Sequence, residues 1–179
     1  EAPTGVGKTE SVLWPTLLAL GSGACDSIAF LTARTTGRAI AEDTIARMRG
    51  RGLCLKALTL TARDRICFAD GERCDPTSCA YALGYYDRLP AARDHALASD
   101  DWDRDNIEAL GRRHSICPFA LSLDLLPWAD LAICDYNYVF DPRVNLAALA
   151  GAGAPRRVLL VDEAHNLPDR ARDMYSAEI

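Results

Sequence analysis

Ala2-Pro3-Thr4-Gly5-Val6-Gly7-Lys8-Thr9 is the stretch of this chain that decides the fold. The pattern is typical of a phosphate-binding loop, in which successive backbone N–H groups form one concave nest for phosphate oxygens. Gly5 and Gly7 allow positive φ and a close approach of the backbone to an anion. The loop leads into a helix, whose N-terminal dipole adds attraction for negative charge. Ala2 stands where the common pattern has Gly. The alternative is a chance Gly-rich turn, and we favour a nucleotide site.

The residues of this loop have expected roles in binding a nucleoside triphosphate. Lys8 would reach the β- and γ-phosphates, and the Thr9 hydroxyl would ligate Mg²⁺. The residues expected to hold the nucleotide are Thr4, Gly5, Val6, Gly7, Lys8 and Thr9. A phosphate loop normally follows a buried strand, and none precedes this one, so we expect the chain to be part of a longer protein.

A second motif, which is acidic, follows an apolar run near the other end of the chain. Arg157-Val158-Leu159-Leu160-Val161 is typical of a strand and leads into Asp162-Glu163-Ala164-His165. Ligands of α/β sheets lie at the carboxyl ends of strands, so this motif is expected to face the phosphate loop. Asp162 would hold Mg²⁺ through water, and Glu163 would orient and deprotonate the attacking water. We therefore predict Lys8, Asp162 and Glu163 to be catalytic; the alternative is a solvated acidic turn.

Composition limits the class of protein. With 179 residues and 49% hydrophobic content, the chain suits one domain, with or without an insertion. Mean hydropathy near zero is typical of a soluble globular chain. No apolar run reaches the roughly 18 residues that span a bilayer, and no signal peptide is present, so no membrane contact is expected. A net charge of −5 means that nucleic acid would need a local basic track.

Alternating strand-like and helix-like segments predict an α/β fold, a mostly parallel sheet with helices on both faces. Helices are predicted over 8–20, where Pro15 should introduce a kink, and over 38–48. Strands are predicted over 27–32, 53–60, 129–135 and 157–161. The alternation stops at an insertion, where helical stretches are predicted over 81–88, 91–98 and 106–113. The predicted organisation is therefore one domain formed by 1–62 and 119–179, interrupted by a mainly helical insertion, 63–118.

Four of the seven cysteines lie in this insertion and follow C-x6-C-x4-C-x37-C: Cys67, Cys74, Cys79 and Cys117. Without a secretory signal, clustered cysteines more often hold a metal than a disulfide. Four thiolates can hold zinc or an iron–sulfur cluster, and this spacing matches neither zinc ribbons nor ferredoxins. The residues alone leave the metal open, with four buried thiols as the alternative. We predict Cys25, Cys54 and Cys134 to be core residues.

The order of these motifs resembles the XPD/DinG family of superfamily 2 iron–sulfur DNA helicases. Thr59-Leu60-Thr61-Ala62-Arg63-Asp64-Arg65-Ile66-Cys67 and Gly111-Arg112-Arg113-His114-Ser115-Ile116-Cys117-Pro118-Phe119 resemble the segments with that family's first and fourth cluster ligands. Asp135-Tyr136-Asn137-Tyr138-Val139-Phe140-Asp141-Pro142 and the Asp162–His165 motif follow in the family order. The resemblance spans the whole chain. It implies a RecA-like first motor domain with ATP, Mg²⁺ and a 4Fe-4S cluster, held by Cys67, Cys74, Cys79 and Cys117.

The resemblance also implies an ATP-dependent helicase that moves 5′ to 3′ on single-stranded DNA and opens duplex junctions. Ala33-Arg34-Thr35-Thr36 matches the family's early DNA-contact motif, so Arg34 and Thr35 would hold phosphates. Tyr136 and Tyr138 would stack on bases at the other end of that track, or else be core aromatics. Arg63 would tie the cluster domain to DNA or only solvate its surface. His165 would belong to the nucleotide site and link its state to the DNA surface.

In that family a second motor domain, which supplies arginines to the γ-phosphate, and an arch domain complete the enzyme; both would belong to the same parent chain as partners of this part. Without those arginines, hydrolysis is expected to be slow. The expected location is the cytoplasm in a bacterium or archaeon, and the nucleus in a eukaryote. Two alternatives stay open: a metal-stapled nucleic-acid-binding module with a vestigial nucleotide loop, and a nucleoside triphosphatase with structural zinc that acts on protein or RNA without unwinding DNA.

Overall fold

A computed structural model of the chain describes residues 7–69, 74–150 and 156–176. Its helices are α1 (Lys8–Gly21), α2 (Thr35–Arg49), α3 (Arg63–Ile66), α4 (Tyr85–Leu97), α5 (Arg104–His114), α6 (Pro118–Leu125), α7 (Asn137–Phe140), α8 (Ala147–Ala150) and α9 (Leu167–Tyr175). Its strands are β1 (Ser27–Leu31), β2 (Ala57–Thr59), β3 (Asp101–Trp102), β4 (Leu131–Cys134) and β5 (Arg157–Val161). Contacts divide the chain into two compact units, Glu1–Leu53 with Asp130–Ile179, and Cys54–Ala129.

Three parallel strands in the order β4-β1-β5 form the sheet of the first unit. All five residues of the central strand β1 are buried, as its unbroken apolar sequence predicts. Leu31 is in register with Cys134 on one side and with Val161 on the other. The carboxyl ends of the three strands therefore lie level, and the residues that follow them (Thr32, Asp135 and Asp162) gather at one edge of the sheet.

Helices α1 and α2 pack beside this sheet and beside each other. α1 continues through Pro15 to Gly21, and it buries Leu13 and Thr16. α2 begins at Thr35, earlier than the predicted residue 38. The predicted strands over 27–32, 129–135 and 157–161 are all present, so the predicted α/β fold with parallel strands is confirmed.

The second unit combines helices α4, α5 and α6 with a short parallel pair, β2 and β3. Trp102 of β3 is 0% exposed, and its indole N–H donates to the carbonyl of Ala96 (2.9 Å). The sequence did not predict β3, because two residues are too short to show an alternating pattern. The predicted break between helices at 88 and 91 is wrong: α4 is one helix with Pro90 inside. Pro90 has no N–H to donate to the carbonyl of Tyr86, the residue four positions earlier, yet the helix continues past it to Leu97.

Two further predictions need correction in this unit. The strand predicted over 53–60 is limited to Ala57–Thr59. Cys54 lies ahead of that shorter strand and is exposed, so its assignment to the core is wrong, whereas Cys25 and Cys134 are buried as predicted. The unit Cys54–Ala129 contains the predicted insertion 63–118 and extends beyond both of its ends. The assignment of that insertion as a cluster domain stays a prediction.

Within the described residues, no helix is both long enough and apolar enough to cross a bilayer.

Candidate functional site

Gly7 closes the phosphate-binding motif and caps α1. Its φ of 63° and ψ of 36° place it in the left-handed region, which glycine adopts without a steric penalty. Its carbonyl accepts from the backbone N–H of Ser11 at 2.9 Å and from the Ser11 hydroxyl at 3.0 Å. Lys8 is exposed and Thr9 half-buried in the first turn of α1. Thr4, Gly5 and Val6, the other residues predicted to hold the nucleotide, lie outside the described residues.

Asp162 is fixed at the carboxyl end of β5. Its backbone N–H donates to the carbonyl of Leu31 (2.9 Å), which continues the pairing of β5 with β1 by one residue. Its Oδ2 accepts a hydrogen bond from the Thr32 hydroxyl (3.2 Å). The carboxylate therefore has a defined orientation even though it follows the last residue of the strand.

Glu163 has an uncommon backbone conformation. Its φ of 49° and ψ of 44° are left-handed, which is costly for a residue with a Cβ and is often found at functional sites. The turn is stabilised because the Glu163 carbonyl accepts from the backbone N–H of Asn166 (2.9 Å). His165 Nδ1 lies 3.4 Å from Glu163 Oε2, an ion pair only when the histidine is protonated. The Glu163 side chain is 45% exposed.

A cavity of about 310 Å³ brings the two predicted motifs together. It is lined by Gly7, Lys8, Thr9, Glu10, Arg34, Thr36, Gly37, Ile40, Thr44, Arg47, Asp162 and Glu163. A neighbouring cavity of about 220 Å³ shares Lys8, Thr9, Asp162 and Glu163. The ammonium of Lys8 and two carboxylates thus face common space, as binding of an anionic phosphate chain and a divalent cation requires. The volume of the first cavity, about 310 Å³, is at the lower end of the range found for pockets that bind small molecules.

Gly37 is a residue of this site that the sequence analysis did not identify. A Cβ at Gly37 would lie 2.7 Å from Asp162 Oδ2 and closer still to Thr32 Oγ1. The first turn of α2 can therefore approach the Asp162 carboxylate only because residue 37 lacks a side chain. The dipeptide Thr36-Gly37 resembles an ordinary start of a helix, so no local pattern reveals this contact.

The residues predicted to bind DNA have different environments. Arg34 and Thr35 are exposed at the start of α2, Arg63 is exposed at the start of α3 in the second unit, and Tyr138 is half-buried. Tyr136 is 0% exposed, and its hydroxyl has no hydrogen-bond partner in the described part of the chain. Burial raises the pKa of Tyr136, and the charges of Asp162 and Glu163 raise it further. For Tyr136 this burial favours the core-aromatic alternative, whereas base stacking stays a prediction.

The predicted metal ligands all belong to the second unit. Cys67 and Cys74 are exposed, and Cys79 is half-buried in a turn where its backbone N–H donates to the carbonyl of Asp75 (3.0 Å). Cys117 caps α6, and its backbone N–H donates to the carbonyl of Tyr81 (3.0 Å). Burial raises the pKa of the Cys117 thiol, and N–H groups of Ala120 and Phe119 that bond its sulfur lower it. Charges on Cys67 and Cys79 raise it further.

The environments of the single thiols do not by themselves make a metal site. Within residues 7–69, 74–150 and 156–176, no group of three or more His, Cys, Asp or Glu residues is arranged to hold a metal ion. The donor chemistry still fits a thiolate-ligated group, since N–H groups at a helix start point at the Cys117 sulfur and would stabilise its anionic form.

Comparison with known proteins gives consistent matches. A sequence model of the DEAD_2 family matches residues 44–179. The Fanconi anemia group J protein homolog of Gallus gallus is 29% identical over 122 residues, covering 65% of this chain and 9% of that protein. The regulator of telomere elongation helicase 1 homolog of Drosophila yakuba is 24% identical over 231 aligned residues, covering 100% of this chain and 23% of that protein. The chain therefore spans only a small part of these relatives.

A solved structure supports the fold. A truncated XPD is similar with a TM-score of 0.63 over 96% of this chain and 48% of that chain, at 21% sequence identity. At this identity the likeness establishes the α/β fold of the chain and nothing about its substrate.

Proposed function

The chain belongs to the DEAD_2 family, and we propose that it forms the nucleotide-binding part of an ATP-dependent DNA helicase of the XPD/DinG kind. The observation that supports this most directly is the cavity of about 310 Å³ between Lys8–Thr9 and Asp162–Glu163. Each motif alone is compatible with an ordinary turn. A lysine at a helix start and two carboxylates at a strand end, facing one space, are the parts that phosphoryl transfer needs.

Hydrolysis of ATP at this site relies on positioning and charge. Lys8 binds the β- and γ-phosphate oxygens, while Thr9 and Asp162 would hold Mg²⁺. When bound, Mg²⁺ neutralises charge on the phosphates. Glu163 orients a water molecule towards the γ-phosphate and accepts its proton at the carboxylate. His165, 3.4 Å from Glu163, limits the directions which that carboxylate can take.

Binding of single-stranded DNA is the second part of the proposal. Arg34 and Thr35 are exposed side chains at the N-terminus of α2, where a guanidinium, a hydroxyl and backbone N–H groups all suit phosphate oxygens. Tyr138 and, in the second unit, Arg63 would add contacts. Phosphate contacts carry no sequence information, so binding is expected to be non-specific and sensitive to salt. Movement from 5′ to 3′ and opening of duplex junctions would also require a second motor domain and an arch domain.

The third part concerns the cysteines. Cys67, Cys74, Cys79 and Cys117 would ligate a 4Fe-4S cluster, with the N–H groups of Phe119 and Ala120 bonded to the Cys117 sulfur. When bound, the cluster would link segments that are far apart in sequence through its bonds to the cysteine sulfurs. The residues of this chain supply the thiolates and the helix N-terminus.

Turnover of ATP by the full-length parent protein tests the proposed function. We expect hydrolysis that single-stranded DNA stimulates more than RNA does. Lys8→Ala should strongly weaken binding of the nucleotide, because Lys8 is the only lysine among the described residues that line the cavity. Equal turnover with and without single-stranded DNA would contradict the helicase assignment. Stimulation by RNA alone would support the alternative of an RNA-remodelling triphosphatase.

A further inference from the structure

Thr32 lies between Asp162 of the nucleotide site and Arg34 of the proposed DNA-binding segment. It follows β1 directly and is 2% exposed. Its hydroxyl lies 3.2 Å from Asp162 Oδ2, and the backbone N–H of Arg34 donates to the same oxygen at 3.4 Å. The hydroxyl has one proton, and a carboxylate is a stronger acceptor than the Arg34 carbonyl, which is 3.5 Å away. Thr32 therefore donates to Asp162 and accepts from Arg34.

The start of α2 is held against this pair of hydrogen bonds. Gly37 lies so close that a Cβ there would meet both Thr32 Oγ1 and Asp162 Oδ2. The backbone N–H of Arg38 donates to the carbonyl of Arg34 (3.1 Å), so the Arg34 segment and the first turn of α2 form one unit. A displacement of the Asp162 carboxylate is thus transmitted to the segment that presents Arg34 and Thr35.

We propose that Thr32 is a positioning residue whose hydroxyl couples the Mg²⁺-nucleotide site at Asp162 to the DNA-binding segment at Arg34. The inference rests on the proposed function. Coupling between two sites is reciprocal: bound DNA changes the affinity for nucleotide by the same factor as bound nucleotide changes the affinity for DNA. Coupling factors of this kind are about 5 to 150.

The Thr32 hydroxyl is the shared hydrogen-bond partner of Asp162 and Arg34, and Thr32 itself is 2% exposed. Removal of the hydroxyl therefore leaves the Asp162 Oδ2 and the Arg34 N–H without a common partner. The carboxylate then turns independently of the Arg34 segment. A merely structural role for Thr32 would lower the stability of the protein and leave the coupling factor unchanged.

Thr32→Val tests the inference because valine keeps the shape and removes the hydroxyl. The dissociation constant of fluorescent Mg-ADP is measured on the full-length parent protein with and without an oligothymidylate, and the ratio is the coupling factor. We expect a factor of about 5 or more for the unchanged chain, close to 1 for Thr32→Val, and restoration in Thr32→Ser. If Thr32→Val does not fold, Thr32→Ala, which also removes the hydroxyl, replaces it.

Thr61→Val is the matched control. Thr61 is a buried threonine, 1% exposed, whose hydroxyl has no hydrogen-bond partner in the described chain, and it belongs to the second unit. Thr61→Val should keep the coupling factor. An unchanged factor in the Thr32 variants, or no coupling in the parent chain although both ligands bind, overturns the inference and leaves the proposed function intact. Failure of the unchanged chain to bind Mg-ADP would overturn both.

Discussion

At the scale of single residues, the candidate site depends on a few backbone and side-chain constraints. Gly7 and Glu163 both adopt left-handed conformations, one without cost and the other with strain. Gly37 leaves room for the Asp162 carboxylate, and Thr32 donates to it. The two acidic neighbours thus have different tasks: Asp162 is held in place by hydrogen bonds, whereas Glu163 projects from a turn into the cavity.

Glu163→Gln removes the proposed base while keeping the size of the side chain. In the full-length parent protein we expect ATP turnover to fall by about 10²- to 10⁴-fold, the usual contribution of a general base. Binding of Mg-ATP should persist, since the glutamine still lines the cavity. Steady-state turnover and nucleotide titration measure the two effects separately. A variant with unchanged turnover would show that another group accepts the proton.

Gly37→Ala introduces a Cβ against Thr32 and Asp162. We expect a loss of about 1–3 kcal/mol in the free energy of unfolding, the usual cost of overpacking, and weaker binding of Mg-ADP. Urea unfolding and nucleotide titration are the measurements. Gly21→Ala is the control, because a Cβ at Gly21 meets no atom within 4 Å. Equal stability and affinity in the two variants would contradict the close approach of α2 to Asp162.

At the scale of elements, hydrogen bonds and ion pairs between side chains connect helices and strands that are distant in sequence. In the second unit, the Tyr85 hydroxyl on α4 donates to Asp124 Oδ2 on α6 at 2.6 Å. Burial, and then the bond to Asp124, raises the pKa of Tyr85 above its usual range, so the hydroxyl stays a donor. In the first unit, Arg156, which precedes β5, forms a bidentate ion pair with Asp26, which precedes β1.

Tyr85→Phe removes the hydrogen bond between α4 and α6 and leaves the Asp124 carboxylate without that donor. We expect a loss of about 1.5–3 kcal/mol in the free energy of unfolding, the range for hydrogen bonds to charged groups. Urea unfolding followed by circular dichroism measures it. Tyr86→Phe is the matched control, since Tyr86 is the next residue and is 79% exposed. Similar losses in both variants would refute the role of the Tyr85–Asp124 bond.

The Asp26–Arg156 pair predicts a pH dependence of stability. Hydrogen bonds from the Arg156 side chain and backbone lower the pKa of Asp26 below its usual value. A depressed folded-state pKa stabilises the native state above the unfolded pKa of about 3.9, and this contribution disappears as the pH falls through the folded value. Urea midpoints measured from neutral to acid pH should fall less steeply in Asp26→Asn than in the parent chain. Asp43→Asn, an exposed position on α2, serves as control and should match the parent chain.

At the scale of the whole molecule, the chain consists of two compact units with separate chemistry. The first contains the phosphate-loop end, the Arg34 segment and the acidic motif, and the second contains all four predicted metal ligands. The net charge of −5 means that DNA binding must come from local groups such as the Arg34 segment. If the four cysteines hold the proposed metal, its loss should therefore affect the second unit and spare the nucleotide site.

Serine substitution of the proposed ligands tests that separation. Protein purified without oxygen should contain iron and absorb broadly near 400 nm (roughly, by thiolate-to-iron charge transfer). Serine at Cys67, Cys74, Cys79 or Cys117 should lower the iron content and the stability of the second unit while Mg-ADP still binds. Cys54→Ser is the control, because Cys54 is an exposed cysteine of the same unit outside the predicted ligand set. Unchanged iron in the ligand variants would refute the assignment, and a colourless protein with zinc would select the other metal.

Much of the fold was predictable because its signals are local. The apolar run 157–161, bounded by a loop and an acidic turn, forms the predicted strand, and Gly7 before Lys8-Thr9 is a left-handed residue at a helix start. The two-residue strand β3 and the continuous α4 were not predictable. A pair of residues has no period, and a proline usually ends or kinks a helix, whereas α4 continues through Pro90.

The sequence by itself determined which groups carry the chemistry: the Lys8-Thr9 pair, the Asp162-Glu163 pair and four clustered thiols. Only the tertiary structure decided how those groups are held. Thr32, Gly37 and Asp162 meet because the parallel register of β1 and β5 brings level two strand ends that are more than a hundred residues apart. Tyr136, which follows β4 at that edge, is buried as well. Contacts of this kind depend on which distant strands pair with one another, and that choice involves residues far apart in the sequence rather than one local stretch.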